Sequence, residues 1–209
     1  MSMDKSLWEM TELRIATGAM VILGGATALL VVVPYMLLEK TRPPEQLKPY
    51  TSTQLVGRQS YISNGCVYCH SQQPRDIKQA PDFLRGWGRA PVAADYAYDT
   101  PHLLGTMRTG PDLLNIGARQ PSIDWHLGHL YQPRAYTPGS TMPSYPYLFN
   151  VRKGEVKPGE TAVNLPPQWE QDGEVVIAKP EALALVDYLR SLNRTYPALP
   201  AADSVQGKP

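Results

Sequence analysis

The sequence predicts a mostly α-helical protein: one N-terminal transmembrane helix, then an extramembrane domain with few helices and much ordered loop. Three observations predict it. Residues 15–38 carry no charged side chain, two later segments repeat apolar residues at helical spacing, and residues 71–150 between them are rich in Pro, Gly, Tyr and Arg. The length of 209 residues suits one domain with appendages. With 43% hydrophobic and 19% charged residues the chain is not disordered, and a net charge of +1 argues against a dominant nucleic-acid field. Two cysteines exclude a disulfide scaffold and a four-thiolate zinc site. The 21 prolines, roughly twice ordinary usage, call for many turns.

The anchor is expected over residues 1–40. A 24-residue helix over residues 15–38 reaches about 36 Å, enough for a hydrocarbon core of roughly 30 Å. Arg14 closes one end, and Glu39, Lys40 and Arg42 the other. A cleaved signal peptide has a shorter apolar region and a small-residue cleavage site, and Val33-Pro34-Tyr35-Met36 offers none. Pro34 is placed to kink the last turns. Gly18, Gly24, Gly25, Ala26 and Ala28 form a small-residue surface that suits either a close helix partner or lipid.

Residues 41–50 read as a proline-rich spacer. An extramembrane domain is expected over 51–195, with a flexible tail over 196–209. A helix is expected over 51–65, capped by Thr51, Ser52 or Thr53, with Leu55, Val56, Tyr61 and Ile62 as its apolar stripe and Asn64-Gly65 as its stop. Short helices are expected over 112–118 and 123–131. Residues 151–173 read as irregular. Residues 180–193 form the clearest helix, with Pro180 at its start and Leu183, Val186, Leu189 and Leu192 as its stripe.

The chemistry lies in Cys66-Val67-Tyr68-Cys69-His70, a C-x-x-C-H signature for c-type haem attachment. Two thiols three residues apart can form thioethers with the two vinyl groups of one haem c, and the adjoining His70 then sits under the iron. A thiol redox pair calls for a surrounding βαβ pattern, and a zinc site for a second ligand pair. Neither is present. Attachment needs reduced thiols to meet haem outside the cytoplasm. That places the domain in the periplasm and the N-terminus inside, although the Lys/Arg count around the span mildly favours the reverse.

The sixth iron ligand is left among several residues. Met142, in Pro138-Gly139-Ser140-Thr141-Met142-Pro143, is favoured because flanking prolines hold it rigid. Met107, His102, His126, His129 and an open site remain. His/Met ligation would raise the reduction potential, as an electron carrier to an oxidase requires. Residues 41–90 hold seven Lys/Arg against three acids, a basic stretch suited to haem propionates, anionic lipid or an acidic partner. No nucleophile–base pair or phosphate loop is evident, so no catalytic residue for bond chemistry is expected.

The chain resembles the membrane-anchored monohaem cytochrome c subunit (subunit II) of cbb3-type cytochrome c oxidases. The resemblance is carried by the haem motif with Ser71-Gln72, Trp87-Gly88-Arg89, Arg108-Thr109-Gly110-Pro111-Asp112-Leu113, Trp125-His126-Leu127, Pro133-Arg134, Pro138-Gly139-Ser140 with Met142-Pro143, and Tyr145-Pro146. It implies a class I cytochrome c-like domain with expanded loops, His70 as proximal ligand and Met142 as distal ligand. It also implies a bacterial inner-membrane location and a haem–copper catalytic subunit as partner. A dihaem cytochrome c subunit or a soluble cytochrome c would be the electron donor. Arg108, Trp87 and Arg134 are the candidates for holding the propionates. Two other readings stay open at this point: a cytochrome c subunit of a membrane nitric oxide reductase, and a membrane-anchored haem sensor. A purely structural assembly subunit is a third.

Overall fold

A computed structural model describes residues 5–38, 42–105 and 107–198. The described residues divide into two units, 5–43 and 44–198. The expected tail lies outside the described residues from position 199 onward.

The first unit is helical. Helix α1 spans Lys5–Thr27, a π-helical turn spans Ala28–Val32, and α2 spans Val33–Leu38. Within it, Thr11–Leu37 is a 27-residue stretch of mean hydropathy 2.2, long and apolar enough to cross a membrane. The distortion expected at Pro34 lies in the turn before it. Proline has no N–H to give Leu30, and its ring crowds that carbonyl. The chain answers with a wider turn, in which the Val33 N–H reaches back five residues to Ala28 O. Gly18, Gly24 and Gly25 have nothing within 4 Å of where a Cβ would stand.

The second unit is organised by two helices, α3 over Ser52–Ser63 and α7 over Pro180–Ser191. Thr51 starts α3 with a capping box: Gln54 N–H donates to Thr51 Oγ1 at 3.2 Å, and Thr51 N–H to Gln54 Oε1 at 3.1 Å. Pro180 opens α7, where its missing N–H costs nothing. The α7 stripe is close to that expected: Val186 and Leu192 are fully buried, Leu189 is buried, and Leu183 packs partly against the core.

The α3 stripe differs. Leu55 and Val56 are more than half exposed, whereas Gly57, Arg58, Ser60 and Tyr61 are buried. The reason is the crossing with α7. A Cβ at position 57 would run into the backbone carbonyl of Ala184. The α3 face against α7 is therefore chosen by Gly57, which allows backbone contact, and by Tyr61 four residues on, rather than by the most apolar side chains. Tyr61 meets Tyr188 edge-on at 5.7 Å, and Tyr188 meets Tyr50 at 5.6 Å.

Shorter elements complete this unit. Helices α4 (Ile116–Arg119), α5 (Ile123–Tyr131) and α6 (Pro133–Tyr136) follow one another closely. Strands β1 (Phe149–Lys153) and β2 (Glu174–Ala178) pair antiparallel, with Phe149 opposite Ala178 and Val151 opposite Val176. The hairpin was not expected. Its strands are twenty residues apart and joined by no tight-turn signature, so only tertiary pairing defines them. From Leu47 the proline-rich segment packs on this unit: Leu47 is buried, and Tyr50 Oη donates to Asp99 at 3.0 Å.

Buried charges tie the long loops to the helices. Arg58, 6% exposed, donates from α3 to Thr100 O at 3.2 Å and to Pro101 O, and lies 3.6 Å from Asp99. Arg194, 3% exposed, donates to Asp95 O at 3.0 Å. Each such guanidinium stabilises backbone carbonyls that would otherwise be buried without partners.

Replacing Gly57 with alanine should destabilise the second unit by roughly 2–4 kcal/mol, because α7 must move back along its length. Denaturant titration of the full chain in detergent measures this, and an unchanged midpoint would contradict the crossing geometry.

Candidate functional site

The C-x-x-C-H segment follows directly from the end of α3. The chain leaves that helix through Gly65, whose φ is 72°, and Cys66–Tyr68 form a single 3₁₀ turn. Cys69 N–H and His70 N–H both donate to Cys66 O, at 3.2 and 3.0 Å. The turn brings the Cys66 and Cys69 thiols and the His70 ring to one cavity of about 490 Å³. Neither cysteine is in a disulfide. Burial pushes the Cys66 thiol up to about 11. A redox-active dithiol needs the opposite shift.

The opposite side of His70 is held by residues 109–113. His70 Nδ1–H donates to Pro111 O at 2.7 Å, which leaves Nε2 as the nitrogen free for a metal. Burial holds the ring below the ordinary histidine range. Gly110 is required here. A Cβ would stand 2.7 Å from His70 Nδ1 and 2.9 Å from Nε2, inside the ring's own space.

The remaining walls come from α4, α5, α7 and the loop after α6. Ile116 and Arg119 contribute from α4, Trp125, His126, His129 and Leu130 from α5, and Leu189 from α7. Met142 and Tyr145 contribute from the loop. That loop is fixed by Ser140 N–H to Thr137 O at 3.1 Å, Met142 N–H to Ser140 Oγ at 3.2 Å and Tyr145 N–H to Leu130 O at 3.0 Å. Met142 is half-buried against the hydrophobic core.

The structure therefore brings Cys66, Cys69, His70 and Met142 into one cavity. Of the other ligand candidates, His126 and His129 line it, whereas Met107 and His102 do not; Met107 is 63% exposed. His126 Nε2–H donates to Gln120 O at 2.8 Å, so that nitrogen is engaged. The His129 ring stacks on Trp125 at 4.5 Å, and among the described residues its buried Nδ1 has no hydrogen-bond partner.

The three residues expected to hold propionates lie elsewhere. Arg108, Trp87 and Arg134 are outside the cavity wall. All three guanidinium nitrogens of Arg108 bond to protein, and its plane covers the Trp87 ring at 5.5 Å. Arg134, in α6, is exposed. The arginine in the wall is Arg119. It donates to Asp112 O from one end, while its buried Nε has no partner among the described residues. A sequence signal for it existed: Arg119 closes the otherwise uncharged run Leu113 to Ala118 directly behind the R-T-G-P-D-L block.

These residues fit a covalently held haem. Two thiols and an imidazole share one side of a largely apolar cavity, and Gly110 leaves room for the ring. Arg119 supplies a cation whose buried Nε–H has no partner among the described residues, and a buried donor in that state is costly without an acceptor.

The family described as cytochrome C oxidase, mono-heme subunit/FixO matches residues 5–165. No match is found among curated proteins.

The histidines also set a pH dependence. Burial holds both His126 and His129 at about 4, below the unfolded value near 6.5. The unfolded chain therefore binds more protons between those values, and stability falls as pH drops from about 6.5 toward 4. Denaturation midpoints across this range should decline, and His126→Gln should flatten the decline.

Proposed function

The chain belongs to the cytochrome c oxidase mono-heme subunit/FixO family, and from that premise we propose that it relays electrons through one covalent haem c to the oxygen-reducing haem–copper subunit of its complex. A mono-haem subunit of a cytochrome c oxidase is what the family shows; the relay, the ligands and the topology are our reading. The observation that carries it is the shared cavity, where His70 and Met142 stand with both thiols of the C-x-x-C-H turn.

The haem, when bound, supplies a one-electron iron couple. The chain's residues do the rest. Cys66 and Cys69 would hold the group by thioethers, so that a small loop-rich domain could retain it. His70 would offer its Nε2 to the iron, with its tautomer fixed by Pro111 O. Met142 would offer its thioether as a second iron ligand, a choice that raises the potential. Arg119, in place of Arg108, Trp87 and Arg134, would neutralise the propionates. The apolar walls, Ile116, Leu130 and Leu189 among them, exclude water and so favour the less charged ferrous state.

The apolar helix anchors the chain in a bacterial inner membrane, with the N-terminus cytoplasmic and the haem domain periplasmic. The donor is a dihaem cytochrome c subunit of the same complex or a soluble cytochrome c. Apart from the thioether attachment, the side chains of this chain take no part in bond chemistry.

Cys66→Ala or His70→Ala should abolish haem incorporation, read by haem staining of the membrane complex. Normal haem content in either variant would refute the assignment. Met142→Ala should retain haem but lose the red-end ferric band of a methionine–iron bond, bind carbon monoxide when reduced, and lower oxygen consumption at least tenfold. Turnover at the unmodified rate would instead favour an assembly role. Nitric oxide consumption in place of oxygen consumption by the purified complex would reassign its chemistry.

A further inference from the structure

We propose that Arg108, Ser71 and Asp112 form a clamp behind the proximal histidine that sets the strength of the His70–Pro111 hydrogen bond, and through it the reduction potential. This rests on the haem reading above. Arg108, first expected to face the cofactor, turns to the other side of the ligand loop.

Two backbone segments meet behind His70. One runs 69–73 and the other 108–114. They are joined by Gly110 N–H to Cys69 O at 2.9 Å and Leu113 N–H to Ser71 O at 2.8 Å, on either side of the His70–Pro111 bond. Side chains then lock the same two segments together. Ser71 Oγ–H donates to Asp112 Oδ2 at 2.6 Å, and Gln73 N–H donates to the same oxygen at 2.7 Å. Leu114 N–H donates to Asp112 Oδ1 at 2.9 Å. Arg108 closes the set, donating from Nε to Ser71 Oγ at 2.9 Å and from Nη2 to Gln73 O at 2.6 Å.

The clamp is itself held. Arg108 Nη1 donates to Asp82 Oδ2 at 2.6 Å, and Asp82, Asp112 and Ser71 are all buried. The Arg108 plane rests on Trp87 at 5.5 Å, and Arg85 lies over the same ring at 5.0 Å. Ser71 is the pivot. It follows His70 in the chain, accepts from Arg108 and donates to Asp112, the neighbour of Pro111. Removing its hydroxyl breaks two bonds without changing any charge.

The direction of the effect follows from ligand chemistry. A tight Nδ1–H···O bond gives the ring more anionic character, and a more anionic ring favours ferric iron. Loosening the clamp lengthens that bond and raises the potential. A merely structural cluster would change stability and leave the potential alone.

The test uses the haem-loaded full chain in detergent, as Ser71→Ala and as Arg108→Lys, the second keeping the charge opposite Asp82 while giving up Ser71. Haem content and the methionine–iron band are recorded first; their absence from the unmodified chain would count against the haem reading and not against the clamp. The expected result for each loaded variant is a higher midpoint potential and a several-fold faster solvent exchange of the His70 Nδ1 proton by NMR. If Ser71→Ala does not hold haem, Arg108→Lys carries the same expectation. Potential and exchange unmoved in a loaded variant would overturn the proposal, as would loss of haem in both variants, which would mark a folding role.

Discussion

The backbone contact between α3 and α7 at Gly57 is the constraint on which the second unit depends. Most of that unit is loop, and loops of this length do not position chemistry by themselves. The helix pair does so at both of its ends. The end of α3 delivers Cys66, Cys69 and His70. The end of α7 receives α4 through the Gly117 N–H to Leu192 O bond of 3.0 Å, and α4 carries Arg119. Leu189, on the core face of α7, reaches the cavity wall directly. A small displacement of the crossing therefore moves the thiols, the imidazole and the arginine relative to one another.

Around that crossing, charged and polar groups do work that apolar packing does elsewhere. Asp82, Asp95 and Asp112 are fully buried, and each accepts backbone or guanidinium N–H bonds from a loop. The loop 75–87 folds around Asp82, which receives Arg75 N–H at 2.7 Å as well as Arg108. Such arrangements stabilise one loop conformation because removing either partner strands a buried charge. Such rigidity suits the electron relay proposed above.

Several features were legible because they are local. The apolar run, the C-x-x-C-H turn, the Thr51 cap, the Pro180 start and the 123–131 helix each depend on residues within about one or two helical turns of each other. The loop of Met142 was legible in its flanking prolines and glycine, and the Tyr145 N–H to Leu130 O bond then ties it to α5. The α3 face was misread through Leu55 and Val56, since apolar periodicity cannot show that a backbone-to-backbone approach will select glycine. The β1–β2 pair was missed for the same kind of reason: nothing near either strand specifies the other.

The sequence by itself determined an apolar run long enough to cross a membrane and a C-x-x-C-H turn with its thiols and imidazole side by side, because both depend on residues close together in the chain. Tertiary structure decided where each arginine stands. Arg108 and Arg119 stand eleven positions apart on either side of the same Pro111–Asp112 turn, and their side chains are alike. Only the fold sends one behind His70 into a network of carboxyl groups and the other into the cavity wall with a donor unspent. A guanidinium's role is set by what surrounds it, and those surroundings come from segments up to about forty residues away along the chain.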